Sequence, residues 1–256
     1  TSIMTITSET HHNTEAGGLG NLIVEIWRGD SGGQFETYTV PHQKSQTILD
    51  VVTYVQRKLD PSLSYRFACR VGMCGSCAMT VNGSPRWTCR THVSEVLEGG
   101  NRVRIGPLRN LPVIKDLATD MTEFFDKWAR ASGQFHPSAP GSMEFAQVSP
   151  DSKERREADA GIECIGCGVC YAACDVVNWN KDYLGPAALN RAWTLVNDVR
   201  DGAQDTHIAA VAADAGCHAC HTHGNCANHC PKGINPTASI AGLKRAAFGA
   251  ALRGKL

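Results

Sequence analysis

Cys164-Ile165-Gly166-Cys167-Gly168-Val169-Cys170-Tyr171-Ala172-Ala173-Cys174 sets four cysteines apart by two, two and three residues. A zinc site usually draws two ligands from such a run and two from elsewhere. A cubane iron–sulfur cluster instead takes three cysteines from two consecutive C-x2-C steps, and in two-cluster proteins the fourth cysteine of the run serves a different cluster. The run therefore predicts a second half-site elsewhere in the chain.

That half-site is Cys217, Cys220, Cys226 and Cys230-Pro231. A C-x2-C-x2-C-x3-C template ending at Cys230 expects cysteines at 220, 223, 226 and 230, but position 223 is His223. By the crossing rule Cys164, Cys167 and Cys170 take Cys230 and complete a 4Fe-4S cluster. Cys220 and Cys226 take Cys174 and stop at three thiolates, which suits a 3Fe-4S cluster. The alternative is a full cubane with His223 or Cys217 as the fourth ligand. Cys217 otherwise has the default role of a buried structural thiol, with a reactive thiol as the lesser reading.

A third group precedes these two. Cys69-Arg70-Val71-Gly72-Met73-Cys74-Gly75-Ser76-Cys77, with Cys89 further on, has the C-x4-C-x2-C plus distant cysteine spacing of a plant-type 2Fe-2S cluster. Gly72 and Gly75 suit a loop whose backbone N–H groups must approach sulfur closely. The competing reading is an all-cysteine zinc site, whose ligands more often come as two separated C-x2-C pairs.

The rest of the chain bounds these readings. At 256 residues it can hold two modest domains. Lys+Arg and Asp+Glu balance at 25 each, so charge gives no argument for nucleic acid or an anionic membrane surface. No apolar run approaches the roughly 20 residues of a membrane-spanning helix, so no direct membrane span is expected. Twelve cysteines in three tight groups fit ligand clusters better than a disulfide scaffold. Residues 1–20 are polar, unlike a secretory signal, and read as a flexible tail.

The pattern predicts a hairpin from Leu22–Trp27 and Gln34–Val40 around a turn at Arg28–Gly33. A helix over Thr47–Leu59 follows, with Thr47 and Asp50 as a capping-box variant. Ala78–Val81, Arg86–Thr88 and Arg102–Ile105 are short strand candidates, and Gly106–Pro112 closes the domain. Beyond it Met121, Phe124, Phe125 and Trp128 form an apolar helical stripe, and Ser132–Val148 reads as a surface loop. Helices are expected to start at Ser149-Pro150, at Pro186 (running to Arg200, with Leu189, Trp193, Val196 and Val199 inward) and at Asn235-Pro236. The fold class is α+β, a small mixed sheet with one helix over 21–115, then an all-α domain over 116–256.

The chain resembles the iron–sulfur subunit of succinate dehydrogenase and fumarate reductase from Asn21 onward. The resemblance rests on Ser64–Arg70, Met73–Met79, Pro107-Leu108-Arg109-Asn110-Leu111-Pro112-Val113-Ile114-Lys115-Asp116, Leu184–Ala188 and Cys230-Pro231-Lys232-Gly233-Ile234-Asn235-Pro236. Cys170-Tyr171-Ala172-Ala173-Cys174 looks more like the fumarate-reductase-type members.

The resemblance implies a β-grasp ferredoxin domain holding 2Fe-2S and a helical ferredoxin domain holding 4Fe-4S and 3Fe-4S. The family's cluster ligands fall on the eleven cysteines named above, leaving out Cys217. The implied partners are a flavoprotein subunit with covalent FAD, which interconverts succinate and fumarate, and a membrane anchor that binds quinone, with or without haem. The implied place is the cytoplasmic face of a prokaryotic inner membrane, peripheral through that anchor. This subunit would bind no dicarboxylate and carry no catalytic residue of its own; it would pass single electrons between FAD and quinone.

Trp179 and His221 match a Trp and a His that help form the quinone pocket in many family members. Core packing for Trp179 and a hydrogen bond to sulfide or backbone for His221 are the competing roles. Asp175 replaces the proline that usually follows Cys174, and Val71 stands where the family often has Glu; neither change removes a ligand. The rival functions are a free-standing soluble ferredoxin, a zinc-bound interaction module, and the iron–sulfur subunit of another flavin-linked dehydrogenase.

Overall fold

Leu22, Val24 and Ile26 alternate along β1 (Asn21–Arg28) with half-exposed Ile23, Glu25 and Trp27, and this period of two buries one face of the strand completely. The structure, a computed structural model, describes residues 19–139, 141 and 144–256, so the expected N-terminal tail lies almost wholly outside the described residues. β2 (Gln34–Pro41) runs antiparallel to β1, with Leu22 opposite Val40 and Trp27 opposite Phe35. Arg28, read from sequence as turn chemistry, is instead the last residue of β1 and a structural anchor. Its guanidinium pairs with Asp60 and, at 3.2 Å, with buried Asp116, and donates to Tyr38 Oη at 2.6 Å and Ser62 Oγ at 2.7 Å. Asp116 also accepts the N–H groups of Gly29 and Ser64, so its buried charge is compensated on several sides.

The capping box forms as expected. Thr47 Oγ1 accepts from Asp50 N at 3.2 Å and Asp50 Oδ2 accepts from Thr47 N at 3.0 Å, which starts α1 (Ile48–Tyr54). The helical pattern over Val55–Leu59 winds as a wider π-type turn, which Asp60 closes. β3 (Ala78–Val81) and β4 (Ser84–Trp87) form a hairpin through Asn82-Gly83, both with positive φ. That Asn-Gly turn fixes the register and starts the strand at Ser84, ahead of the expected Arg86. β5 (Arg102–Gly106) lies parallel to β1, giving the order β2-β1-β5-β3-β4. Ile48, Val51, Val52 and Val55 pack fully buried against Val24, Ile26, Val103 and Ile105.

The Gly106–Pro112 closure proves to be part of a clasp. Leu108 and Leu111 are buried in the core of the helical half, and the chain then makes a short hairpin of β6 (Val113–Lys115) and β7 (Ala118–Thr119). Asn110, at φ +65°, donates Nδ2 to the carbonyls of Tyr171 at 3.0 Å and Cys174 at 3.1 Å. The clasp thus grips the cysteine run directly.

The remaining elements are α2 (Thr122–Arg130), α3 (Lys153–Ala158), α4 (Val169–Ala172), α5 (Asp175–Trp179), α6 (Pro186–Val196), α7 (Gln204–Val211), α8 (Asn225–Asn228) and α9 (Pro236–Leu252). Two boundaries differ from expectation. α3 is capped by Ser152, whose Oγ accepts from Arg155 N at 3.1 Å, rather than by Ser149 ahead of Pro150. α6 stops at Val196 because Asn197 turns its amide back onto the Trp193 carbonyl at 2.9 Å. Val199 is therefore 51% exposed rather than inward.

α6 and α9 form the centre of the helical half, with Gly242 against the Trp193 ring. A Cβ at 242 would lie 2.5 Å from Trp193 Cη2. Gly242→Ala should therefore cost about 1–3 kcal/mol by overpacking, read as a lower thermal unfolding midpoint. Asn110→Gly keeps the positive φ and removes only the side-chain bonds. It should cost about 1–3 kcal/mol on the same measurement, and an unchanged midpoint would contradict the clasp.

Candidate metal centres

The β3–β4 hairpin brings Cys77, just before β3, beside Cys89, just after β4, and both are buried. Thr88 ties the pair together, its N–H and Oγ1–H both donating to the Cys77 carbonyl. The loop before them curls so that Val71, Met73 and Cys74 direct their N–H groups at Cys69 Sγ, at 3.3–3.5 Å. Cys69 N in turn approaches Cys74 Sγ at 3.5 Å. That N–H and the Ser76 hydroxyl pull the Cys74 thiol down to about 6. Burial, with Cys77 alongside, pushes Cys89 up to about 11. One wall of this group is thus ready to carry thiolate, while the other is not unless a cation shares the space.

Across the clasp, Cys164, Cys167, Cys170 and Cys230 line one cavity together with Pro231 and Ile234. Cys164 and Cys167 both feel Cys230, and Cys170 feels all three and Cys226 besides. Lys232 pairs with Glu163 at 2.9 Å and fastens the distant Cys230 turn to the start of the run. Burial pushes the Cys164, Cys167 and Cys170 thiols up, Cys170 furthest, and the neighbouring sulfurs add to the rise. Against that, the N–H groups of Gly166 and Val169 face the Cys164 and Cys167 sulfurs.

The last cysteine of the run turns away from its neighbours. Cys174 lies with Cys220 and Cys226, and the N–H groups of Val176 and Val177 at the start of α5 face its sulfur. Thr222 N donates to Cys220 Sγ at 3.4 Å, and Thr237 Oγ1 lies 3.2 Å from Cys226 Sγ. Burial raises both Cys174 and Cys226. Buried Tyr183 lies beside Cys220, Cys174 and Cys226, a placement that only its position next to the Leu184–Ala188 segment could have suggested.

His223 does not join these three sulfurs as a close partner. Its Nδ1 lies 3.8 Å from Asp175 Oδ2, and its ring sits edge-on to Trp179 at 5.7 Å and beside His221 at 5.9 Å. Trp179 and His221 therefore share one patch with His223 between them. Trp179 is 66% exposed, which replaces core packing as its role. Cys217 is fully buried near Lys244 and Cys220, and Lys244 Nζ donates to the Cys220 carbonyl at 2.7 Å.

The loops of the first two groups touch. A Cβ at Gly75, where φ is +71°, would lie 2.4 Å from Cys167 Cβ, so only glycine lets the two loops meet. The chemistry of the donor sets fits iron–sulfur clusters. Thiols are grouped, converging N–H groups can receive sulfur charge, and burial would otherwise forbid several thiolates in one space. Among the described residues no three His, Cys, Asp or Glu side chains converge tightly enough for a single metal ion. A polynuclear cluster needs its thiols held further apart than that.

A family described as "2Fe-2S iron-sulfur cluster binding domain" matches residues 23–126, and a "4Fe-4S dicluster domain" matches residues 161–234. The fumarate reductase iron-sulfur subunit of Mycobacterium tuberculosis is 36% identical over 247 residues, covering 92% of this chain and 96% of that one. The succinate dehydrogenase iron-sulfur subunit of Paracoccus denitrificans is 36% identical over 223 residues, with 85% and 84% covered. Among solved structures, a chain of the Mycobacterium smegmatis Sdh1 complex in the apo form superposes with a TM-score of 0.79 at 28% identity, over 90% of this chain and 96% of that one. With both cysteine domains matched and likeness along nearly the whole length, the chain belongs to the family of iron–sulfur subunits of succinate dehydrogenases and fumarate reductases.

Proposed function

We propose that this chain conducts single electrons between the flavin of a partner flavoprotein and a quinone held by a membrane anchor. In the ligand assignment, Cys69, Cys74, Cys77 and Cys89 hold 2Fe-2S. Cys164, Cys167, Cys170 and Cys230 hold 4Fe-4S, and Cys174, Cys220 and Cys226 hold 3Fe-4S. The observation that carries this reading is the crossing of the run. Cys170 lines one cavity with Cys164, Cys167 and Cys230, while Cys174, one turn on, lies with Cys220 and Cys226. Loaded, the three groups supply one-electron carriers between two partners whose chemistry moves electrons in pairs.

The chain's own residues make that use possible. Backbone N–H groups aimed at Cys69, Cys164, Cys167, Cys174 and Cys220 stabilise negative charge on sulfur. Leu108, Leu111, Val169, Tyr171 and Tyr183 exclude water around the second and third groups. The Gly75–Cys167 contact keeps the first two groups within one packed unit.

No helix among the described residues is long and apolar enough to cross a membrane, so the quinone-side contact is assigned to a separate anchor subunit. Exposed Trp179, with His221 and His223, forms a patch adjoining Cys220 and is proposed as this chain's contribution to the quinone pocket. With such an anchor the subunit would be peripheral, on the cytoplasmic face of a prokaryotic inner membrane.

Cys226→Ala in the assembled complex should abolish quinone reduction by succinate. Turnover at the flavin with an artificial acceptor should persist. Normal quinone reduction by that variant would overturn the assignment of Cys226.

A further inference from the structure

Trp87 ends β4 and is only 6% exposed, yet its indole Nε1 is enclosed without an ordinary hydrogen-bond partner among the protein's atoms. A buried N–H left unmatched costs about 1–3 kcal/mol, and an apolar ring of similar size would fill this space without that cost. The position of the indole shows what the N–H is for. One edge of the ring packs on the first cysteine loop, where a Cβ at Gly72 would lie 3.2 Å from Trp87 Cζ3. The ring belongs to the same buried cluster as Cys77 and Cys89, with Cys167 packed against it, and β4 lies against α4 of the run. The Cys167 sulfur lies beside Nε1–H, outside ordinary hydrogen-bond reach in the polypeptide alone.

We infer that Trp87 is a positioning residue for the 4Fe-4S centre, its indole N–H donating to the sulfur side of that centre at Cys167. The inference rests on the ligand assignment above. It gives the buried N–H an acceptor that the polypeptide alone supplies only poorly. A sulfur-rich group carries more negative charge in its reduced form, so an N–H dipole aimed at it favours reduction and holds the potential up. The indole would also make the strand that leads to the 2Fe-2S ligand Cys89 directly responsible for the potential of the next centre. Val169 N–H, already facing Cys167, supplies the backbone part of the same effect.

Trp87→Phe keeps a ring against Gly72 and removes the donor. The assembled complex is titrated electrochemically and each centre is followed by low-temperature EPR. At a fixed ambient potential near the midpoint, the reduced-to-oxidised ratio of the 4Fe-4S centre should fall about three- to tenfold. That is the share of one charge-assisted hydrogen bond that differs between redox states. The 2Fe-2S and 3Fe-4S ratios should stay unchanged. An unchanged 4Fe-4S ratio, or an equal shift in all three, overturns the inference.

A second measurement does not depend on that variant assembling. With indole-15N tryptophan incorporated, pulsed EPR of the reduced complex should show a 15N coupling on the 4Fe-4S signal. The coupling should persist in Trp128→Phe, because Trp128 also packs near Gly166 of the run. Loss of the coupling in Trp128→Phe, or its absence from the unsubstituted protein, overturns the role of Trp87. If the unsubstituted protein carries no 4Fe-4S signal at all, the ligand assignment fails instead, and the two failures are told apart.

Discussion

Sulfur buried among other sulfurs is the constraint on which this structure turns. Cys170 lies among Cys164, Cys167, Cys226 and Cys230, and burial and mutual repulsion both drive its thiol away from ionisation. The polypeptide offsets only part of this, by turning N–H groups of Gly166, Val169, Val176 and Val177 onto the neighbouring sulfurs. Bound metal cations would offset the rest, since a coordinating thiol is deprotonated outright. The short helices α4, α5 and α8 follow from the same need. Each is a turn or so of backbone that presents N–H groups to a sulfur and then hands the chain on.

A second constraint is proximity. Single-electron transfer needs the centres close, and the two domains meet at the ligand loops themselves, with Gly75 against Cys167 and Trp87 between Gly72 and the run. Asn110 completes the junction from the side, holding the carbonyls at the end of the run. Asp116 and Asn110, on the segment joining the halves, tie it to the first domain and to the run respectively. These bonds hold the join in place, which is what a fixed spacing between centres requires.

Much of this was legible in the chain because ligand spacing is a local property. The x4-x2 and x2-x2-x3 gaps pointed to the three groups, and the His223 gap in the template pointed to a third group short of one thiolate. The capping box at Thr47 and Asp50 was legible for the same reason. What was not legible depends on tertiary contact. Arg28 looked like part of a Gly-rich turn, and only its partners Asp60 and Asp116, far along the chain, make it an anchor. Pro107–Pro112 lacks periodicity, so nothing local showed that Leu108 and Leu111 enter the other domain's core. Val199 continues the helical pattern but lies beyond the turn that Asn197 makes. Nothing local singled out Trp87 or Tyr183, whose places beside cysteine sulfur depend on contacts across the fold.

The central claim is that eleven cysteines hold three different clusters, the last of them short of one iron. Low-temperature EPR of the complex as isolated under oxidising conditions, and again after full reduction, tests it most directly. The account predicts a 3Fe-4S signal in the oxidised sample and 2Fe-2S and 4Fe-4S signals only after reduction. An EPR-silent oxidised sample, with a second 4Fe-4S signal appearing on reduction, would contradict it and would make His223 or Cys217 a ligand.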